Sequence, residues 1–350
     1  MRGLSYSFTY CSLNFFRSAA IVRQDWNRGG VMLTALELCA GAGGQSLGLE
    51  EAGFSHAALF ENDTHACATL RLNRPHWPVY EHDLFKEFDF APYRGVDLLA
   101  GGLPCPPFSI AGKQLGEKDE RNLFTRGVEI AEIVQPNAIM FENVRGMLAP
   151  AFDDYRSRIE TRLRRQNYQV WWKLLNASDF GVPQLRPRVV MVALKRGFAP
   201  GFAWPAAFAK APTVGERLFD LMSENGWLGA ADWKKSAGKI APTIVGGSKK
   251  HGGPDLGPTR ARAAWAELGV EGRTIADAAP SPDHQGMPKL TVRMAARIQG
   301  FPDDWQFSGK KTAAYRQVGN ALPPPVARAV GMSIARALNS GALPRLEAAE

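Results

Sequence analysis

The run Leu33-Thr34-Ala35-Leu36-Glu37-Leu38 is apolar at most positions and passes directly into Cys39-Ala40-Gly41-Ala42-Gly43-Gly44. A short continuous apolar run reads as a strand buried on both faces, the pattern of a parallel sheet. Glycines in the turn between that strand and the helix behind it let the backbone come close to a ligand. This combination places the chain among α/β folds. The spacing breaks the dinucleotide fingerprint, because after Gly41 and Gly43 the third glycine position holds Ser46. A second strand, Ala57-Ala58-Leu59-Phe60, ends at Glu61, about 20 residues after the turn, where an acid takes ribose hydroxyls. Turn and acid together point to an adenosine-containing cofactor. The other reading is a tight turn beside an exposed acid.

Downstream elements follow the same alternation. A helix is expected over Thr64 to Asn73, then a strand from Val79 to Leu84 with Asp83 at its end. Asp83 there reaches an adenine amino group or caps a helix. The apolar run Val96-Asp97-Leu98-Leu99-Ala100 reads as a buried strand and breaks into Gly101-Gly102-Leu103-Pro104-Cys105-Pro106-Pro107-Phe108-Ser109. Prolines on both sides stiffen the backbone around the thiol. Cys105 is then either a positioned nucleophile or a small buried hydrophobe. The polar, glycine-bearing loop 110–122 reads as a mobile lid or as a solvated surface loop. A helix is expected from Leu123 to Val134. The strand Ala138-Ile139-Met140-Phe141-Glu142-Asn143-Val144 ends in a carboxylate and an amide. Burial raises the pKa of such a glutamate and suits it to donate a proton; a capping or salt-bridged glutamate is the alternative.

Composition narrows the partners. The formal net charge is +8 and the pI about 9.4, an excess that points to a polyanion such as nucleic acid. The cysteines Cys11, Cys39, Cys67 and Cys105 show no CxxC spacing and no clustering with histidine, so neither a metal site nor a disulfide framework is expected. A reducing, cytoplasmic setting fits that usage. No apolar run reaches membrane-spanning length. Residues 1–31 lack steady periodicity, read as a poorly ordered extension ending in a loop at Asp25–Gly30, and leave Met32 as a candidate start.

In this order the motifs resemble those of the DNA cytosine-5 methyltransferases. Cys39–Gly44 resembles the family's first cofactor motif, and Glu61 and Asp83 its second and third. Pro104-Cys105 resembles the nucleophile motif and Glu142-Asn143-Val144 the ENV motif. Gln184-Leu185-Arg186-Pro187-Arg188 is similar to QxRxR, while Arg293, Arg297 and Gln299–Asp303 resemble the ninth motif. Gln317–Pro324 resembles the tenth. The likeness spans roughly residues 33–336. Two positions depart from the common pattern: Pro106 stands where glutamine is frequent, and Met294 where glutamate is.

The resemblance implies a mostly parallel seven-stranded α/β sheet with helices on both faces and S-adenosyl-L-methionine as cofactor. It implies cofactor contacts at Cys39, Ala40, Gly41, Gly43, Gly44, Glu61, Asn62, Asp83, Leu84, Pro104, Leu123 and Asn320. It implies catalysis by Cys105 as thiolate, Glu142 as general acid, Arg188 and Arg186 at the base's O2 side, and Asn143 shaping the Pro104–Cys105 backbone. The helix from Pro325 to Leu338 is implied to return beside the first glycine turn.

Between Leu194 and Lys289 no core motif appears, and residues 195–289 carry a net charge of +4. The implied organisation is an extension (1–31), a catalytic and cofactor-binding unit (32–194), a target-recognition domain (195–290), a return to the catalytic unit (291–338) and a tail (339–350). Thr243, Lys249, Lys250, Arg260 and Arg262, with Ser109 and Lys113 from the lid, are the candidate DNA contacts. The expected partner is double-stranded DNA, met by a monomer with no membrane. The expected counterpart is a restriction endonuclease acting on the same site without a stable complex. Two other readings stand beside this one: a tRNA cytosine-5 methyltransferase, and a non-catalytic DNA-binding relative. The broken fingerprint at Ser46 disfavours a NAD-dependent dehydrogenase.

Overall fold

A computed structural model of the protein describes residues 25–26, 30–103, 122–208, 210–247 and 253–341. A small hairpin, β1 (Asp25–Trp26) and β2 (Gly30–Val31), stands where the sequence reads as a loop. The buried run Leu33–Leu38 is β3, an interior strand of a seven-stranded sheet of order β5-β4-β3-β6-β7-β9-β8. β3 pairs in parallel with β4 (Phe54–Glu61) on one side and β6 (Leu98–Gly102) on the other. β5 (Val79–Glu81) continues the parallel set beyond β4, and β7 (Ala138–Val144) beyond β6. β9 (Pro187–Lys195) then runs antiparallel between β7 and β8 (Tyr168–Asn176). The sheet is thus mostly parallel, as expected. β8 went unread because, at the sheet's edge, its residues are half-buried and lack a clean alternation.

Helices cover both faces. α1 (Gly44–Glu51) and α10 (Pro324–Gly341) pack Leu49, Val326, Val330 and Ile334 against Ala35, Leu98, Met140 and Val192. α3 (Leu123–Val134) and α4 (Asp153–Arg165) pack Phe124, Val128, Ile159 and Leu163 against Leu36, Leu99, Ile139 and Met191. α2 (Thr64–Asn73) follows β4, capped by Asp63, whose carboxylate accepts from the His65 and Ala66 amides.

α1 and α10 meet backbone to backbone. A Cβ on Gly44 would lie 2.4 Å from the Leu322 carbonyl oxygen, and one on Gly48 2.4 Å from that of Pro324. Only glycine permits this approach, which brings the end of the chain beside the first glycine turn, as the resemblance implied.

A third core joins α5 (Val214–Met222), α6 (Ala230–Ser236) and α7 (Thr259–Ala266) to α8 (Val292–Gln299) and α9 (Lys311–Asn320). Trp233, Trp265, Met294, Tyr315 and Val318 are all buried in it. Met294 sits at the third position of α8, where the Thr291 hydroxyl accepts its amide and its thioether faces the Thr291 amide at 3.4 Å. The sulfur thus takes the capping place of the more usual glutamate.

One buried polar cluster lies behind the glycine turn. Gln45 Nε2 donates to Glu37 Oε1 (3.2 Å), His56 Nε2 lies 3.0 Å from the Ser46 carbonyl oxygen, and His56 Nδ1 is 3.8 Å from Glu37 Oε2. Burial pushes the Glu37 carboxyl up to about 8 and His56 down to about 4, so both are neutral near pH 7. Because Glu37 is raised in the folded state, its contribution to stability is full below its ordinary value of 4.5 and lost as pH rises towards about 8. Glu37→Gln removes that loss. Thermal melts should show the variant gaining on the wild type by a few degrees between pH 5 and pH 8.

Candidate active site

The strand order reverses at β3, so the carboxyl ends of β3, β4, β6 and β7 open onto one crevice. A cavity of about 500 Å³ fills it. Its lining includes Cys39, Ala40, Gly41 and Gly44 from the turn, Glu61 and Asn62 after β4, Asp83 and Leu84 after β5, Leu123, Glu142, Asn143, Arg188 and Asn320.

The turn is shaped by positive backbone angles at Cys39 (φ 52°), Gly41 (φ 55°) and Gly43 (φ 87°). Gly43 does not line the cavity. It supports the wall, since a Cβ there would lie 2.8 Å from Leu70 and 2.9 Å from Trp305. Trp305 braces the turn from behind by donating Nε1–H to the Ala42 carbonyl (3.1 Å). Nothing in the local sequence singles out this tryptophan; only its position shortly after the ninth motif hints at it.

Glu61 closes one side. Its Oε2 accepts from the Gly41 amide (2.8 Å), and its Oε1 from the Asn62 and Asp63 amides (2.8 Å each). Burial raises its pKa, and these amide hydrogen bonds work against the rise. A carboxylate has about four acceptor positions, so capacity remains for ligand hydroxyls. Asp83 lies two residues beyond the end of β5 rather than on the strand as expected, and its carboxylate accepts from the Phe85 amide (3.1 Å). It still lines the cavity, as do Phe60, His82, Arg316 and Leu322, which the sequence reading did not assign to the site.

The opposite side is built on β7 and β9. Glu142 pairs in register with Gly102 on one side and Val190 on the other. Its Oε1 meets Arg188 Nε at 2.8 Å, and both side chains are largely buried. Burial raises the Glu142 pKa, while Arg188 and then Arg186 lower it. Burial likewise lowers Arg188, offset by Glu142. Asn143 Nδ2 donates to the Leu103 carbonyl (3.1 Å), fixing the residue that leads into Pro104-Cys105. Pro104, Cys105, Ser109, Lys113, Lys249 and Lys250 lie outside the described residues.

Arg186 departs from the expectation. It is fully buried, is not among the residues lining the cavity, and donates to the carbonyls of Ile244, Gly319 and Ala321. Both terminal nitrogens of its guanidinium are taken by main-chain carbonyls, while Arg188 is the one of the two arginines that lines the cavity. Thr243 donates its hydroxyl to the Leu185 carbonyl. Arg260 is exposed on α7, and Arg262 reaches Thr259 Oγ1 at 3.3 Å. Arg297 makes a fork with Asp303 and Asp220 that ties α8 to α5.

A family model for C-5 cytosine-specific DNA methylases matches residues 33–336. The chain belongs to this family. It is 57% identical to the Type II methyltransferase M.NaeI of Lentzea aerocolonigenes over 88% of this chain and 76% of that one. It is 54% identical to M.NgoMIV of Neisseria gonorrhoeae over 88% of this chain and 99% of that one. The fold is similar to that of a Spodoptera frugiperda DNMT2 mutant (TM-score 0.59, 18% identity, 86% of this chain and 99% of that chain). A prophage-encoded DNA modification methyltransferase from E. coli gives a TM-score of 0.60 at 22% identity, over 86% of this chain and 98% of that chain. As a C-5 methylase the protein is a DNA (cytosine-5) methyltransferase that uses S-adenosyl-L-methionine. The cavity fits that cofactor: a wall without side chains at Gly41, an acceptor with spare capacity at Glu61, and apolar sides at Phe60, Leu84 and Leu322. Glu61→Ala removes the acceptor and leaves three amides without a partner. Calorimetric titration should show cofactor affinity falling at least about tenfold, the equivalent of one charge-assisted hydrogen bond.

Proposed function

We propose that this methylase modifies one short duplex sequence through a covalent adduct on Cys105 and so protects DNA from a restriction endonuclease. The observation that carries the reading is the Glu142–Arg188 pair, 2.8 Å apart, on the sheet edge that also holds Glu61 and the glycine turn.

Cytosine C5 is a weak nucleophile. In the proposed sequence the Cys105 thiolate adds to C6, forming a C–S bond, while the Glu142 carboxylic acid gives its proton to N3. Burial keeps that proton on Glu142 up to higher pH than in water, which suits the donor role. Arg188 offsets charge at O2 and holds the Glu142 carboxyl in place. S-adenosyl-L-methionine, held by Glu61, Asp83, Asn320 and the turn, supplies an electrophilic methyl group on a sulfonium. Transfer of the C5 proton to a solvent water and departure of the thiolate from C6 then restore the aromatic ring, and the N3 proton returns to Glu142. Asn143 holds the backbone leading to Cys105 through its bond to Leu103. The target atoms lie inside the duplex stack, so the base is extruded first, at a cost of roughly a few kcal/mol.

Residues 195–290 serve as the target-recognition domain in this reading, with Thr243, Lys249, Lys250, Arg260 and Arg262 at the DNA and Ser109 and Lys113 closing from the lid. The chain acts as a cytoplasmic monomer. The high identity to M.NaeI and M.NgoMIV, over spans that reach into the recognition segment, supports a target sequence shared with them.

Duplex carrying 5-fluorocytosine at the target should form a denaturation-resistant adduct with the wild type and none with Cys105→Ala; an adduct in the variant removes Cys105 from the mechanism. Glu142→Gln should lower kcat by about 10²–10⁴-fold with cofactor affinity kept. DNA from cells expressing the chain should resist the endonucleases that accompany those two relatives. Cleavage by both would show that the target differs. A wild type that methylates tRNA and not duplex DNA would shift the substrate to RNA.

A further inference from the structure

Arg186 is a buried cation whose direct hydrogen bonds all go to main-chain carbonyls, with Glu142 acting on it electrostatically. Nη1 donates to the Ile244 carbonyl (2.7 Å), and Nη2 to those of Gly319 (2.8 Å) and Ala321 (2.9 Å). Those acceptors come from two segments far away in sequence: the loop at 244–247, and the end of α9. The planar guanidinium spans both, which a lysine ammonium cannot do with the same fixed geometry.

The same seam is fastened at other points. Gln184 Oε1 accepts the Ile244 amide (2.9 Å), and its Nε2 donates to Gln299 Oε1 (2.7 Å). Gln299 Nε2 donates in turn to the Ala321 carbonyl (2.6 Å). Main-chain bonds join Leu185 to Ala241 and Ala241 to Pro183, at 2.8 Å each. The backbones touch where a Cβ on Gly319 would lie 2.3 Å from the Gly246 nitrogen. One residue on, Gly247 lines the cavity, and its carbonyl accepts from Asn320 Nδ2 (3.2 Å). Burying a charge whose direct partners are all neutral carbonyls is costly, so a site that keeps one is trading stability for a defined arrangement.

Resting on the function proposed above, we infer that Arg186 is a positioning residue that sets sequence discrimination. It locks the start of the recognition segment in register with the strand bearing Arg188. The Arg188 pocket accepts any extruded cytosine. Discrimination requires that the segment beyond Gly247 meet the neighbouring base pairs while that cytosine sits at Glu142. Any slip of Ile244–Gly247 relative to β9 uncouples the two events. Arg186 opposes such a slip, because the slip would strip a buried charge of its bond to the Ile244 carbonyl, one of the three it makes.

The test is the ratio of kcat/KM at the cognate site to kcat/KM at sites altered by one base pair. It is measured for the full chain with Arg186→Lys, alongside melting and cofactor titration. The expected result is a fall of the ratio by about tenfold or more, the scale of one base-pair contact. A merely structural role lowers the active fraction, scales both rates alike and leaves the ratio unchanged; that result overturns the proposal. Should Arg186→Lys fail to fold, Gln184→Leu loosens the same seam by removing the bond from the Ile244 amide. The same fall is expected there, and an unchanged ratio overturns the proposal equally. A wild type that methylates no duplex at all defeats the functional reading itself, an outcome distinct from an unchanged ratio.

Discussion

The contact on which most of the molecule depends is the approach of two carbonyl oxygens to α1. Gly44 and Gly48 leave room for Leu322 and Pro324 to lie where a methyl group would otherwise be. That contact seats α10 on the sheet and carries α9 to the mouth of the cavity. Without it, Asn320 and Leu322 do not reach the cofactor site, and Arg186 loses two of its three acceptors. A helix of modest intrinsic strength is fixed here by shape rather than by polar bonds.

Around that frame the two halves of the site are held by different physics. The cofactor side is built from main-chain donors. Three amides converge on Glu61, and Trp305 grips the turn through a carbonyl. The side proposed for the base is built from side-chain charge in a buried setting, with Glu142 and Arg188 each shifted by burial and each offset by the other. Backbone dipoles give a rigid cradle whose geometry follows the fold. Buried charges give a reactive pair whose protonation follows its surroundings.

What the sequence made legible follows from this division. β3, α2, α3 and β7 stand at the residues expected of them, because an apolar run or a cap such as Asp63 marks their ends locally. The cavity residues around Gly41, Glu61 and Glu142 also came through, since each sits at a strand end. Arg186 did not. Its neighbours in the chain, Leu185 and Pro187, say nothing of carbonyls 58, 133 and 135 residues away. The edge strand β8 lacked a pattern, and Asp83 fell beyond β5 because that strand is only three residues long.

β9 is the strand that runs against its neighbours β7 and β8. Its beginning therefore lies on the reactive edge and its end on the far edge. The chain leaving Lys195 travels back over the sheet, where Phe198, Phe202 and Trp204 pack against one face and Trp171 and Phe202 rings lie 4.9 Å apart. Arg188 is thus anchored upstream of everything that follows. Residues 195–290 enter the chain only after β9 has placed the arginine, and they touch the lead-in to its strand where Arg186 meets the Ile244 carbonyl. A single reversed strand thus fixes one wall of the cavity before the chain turns away from it.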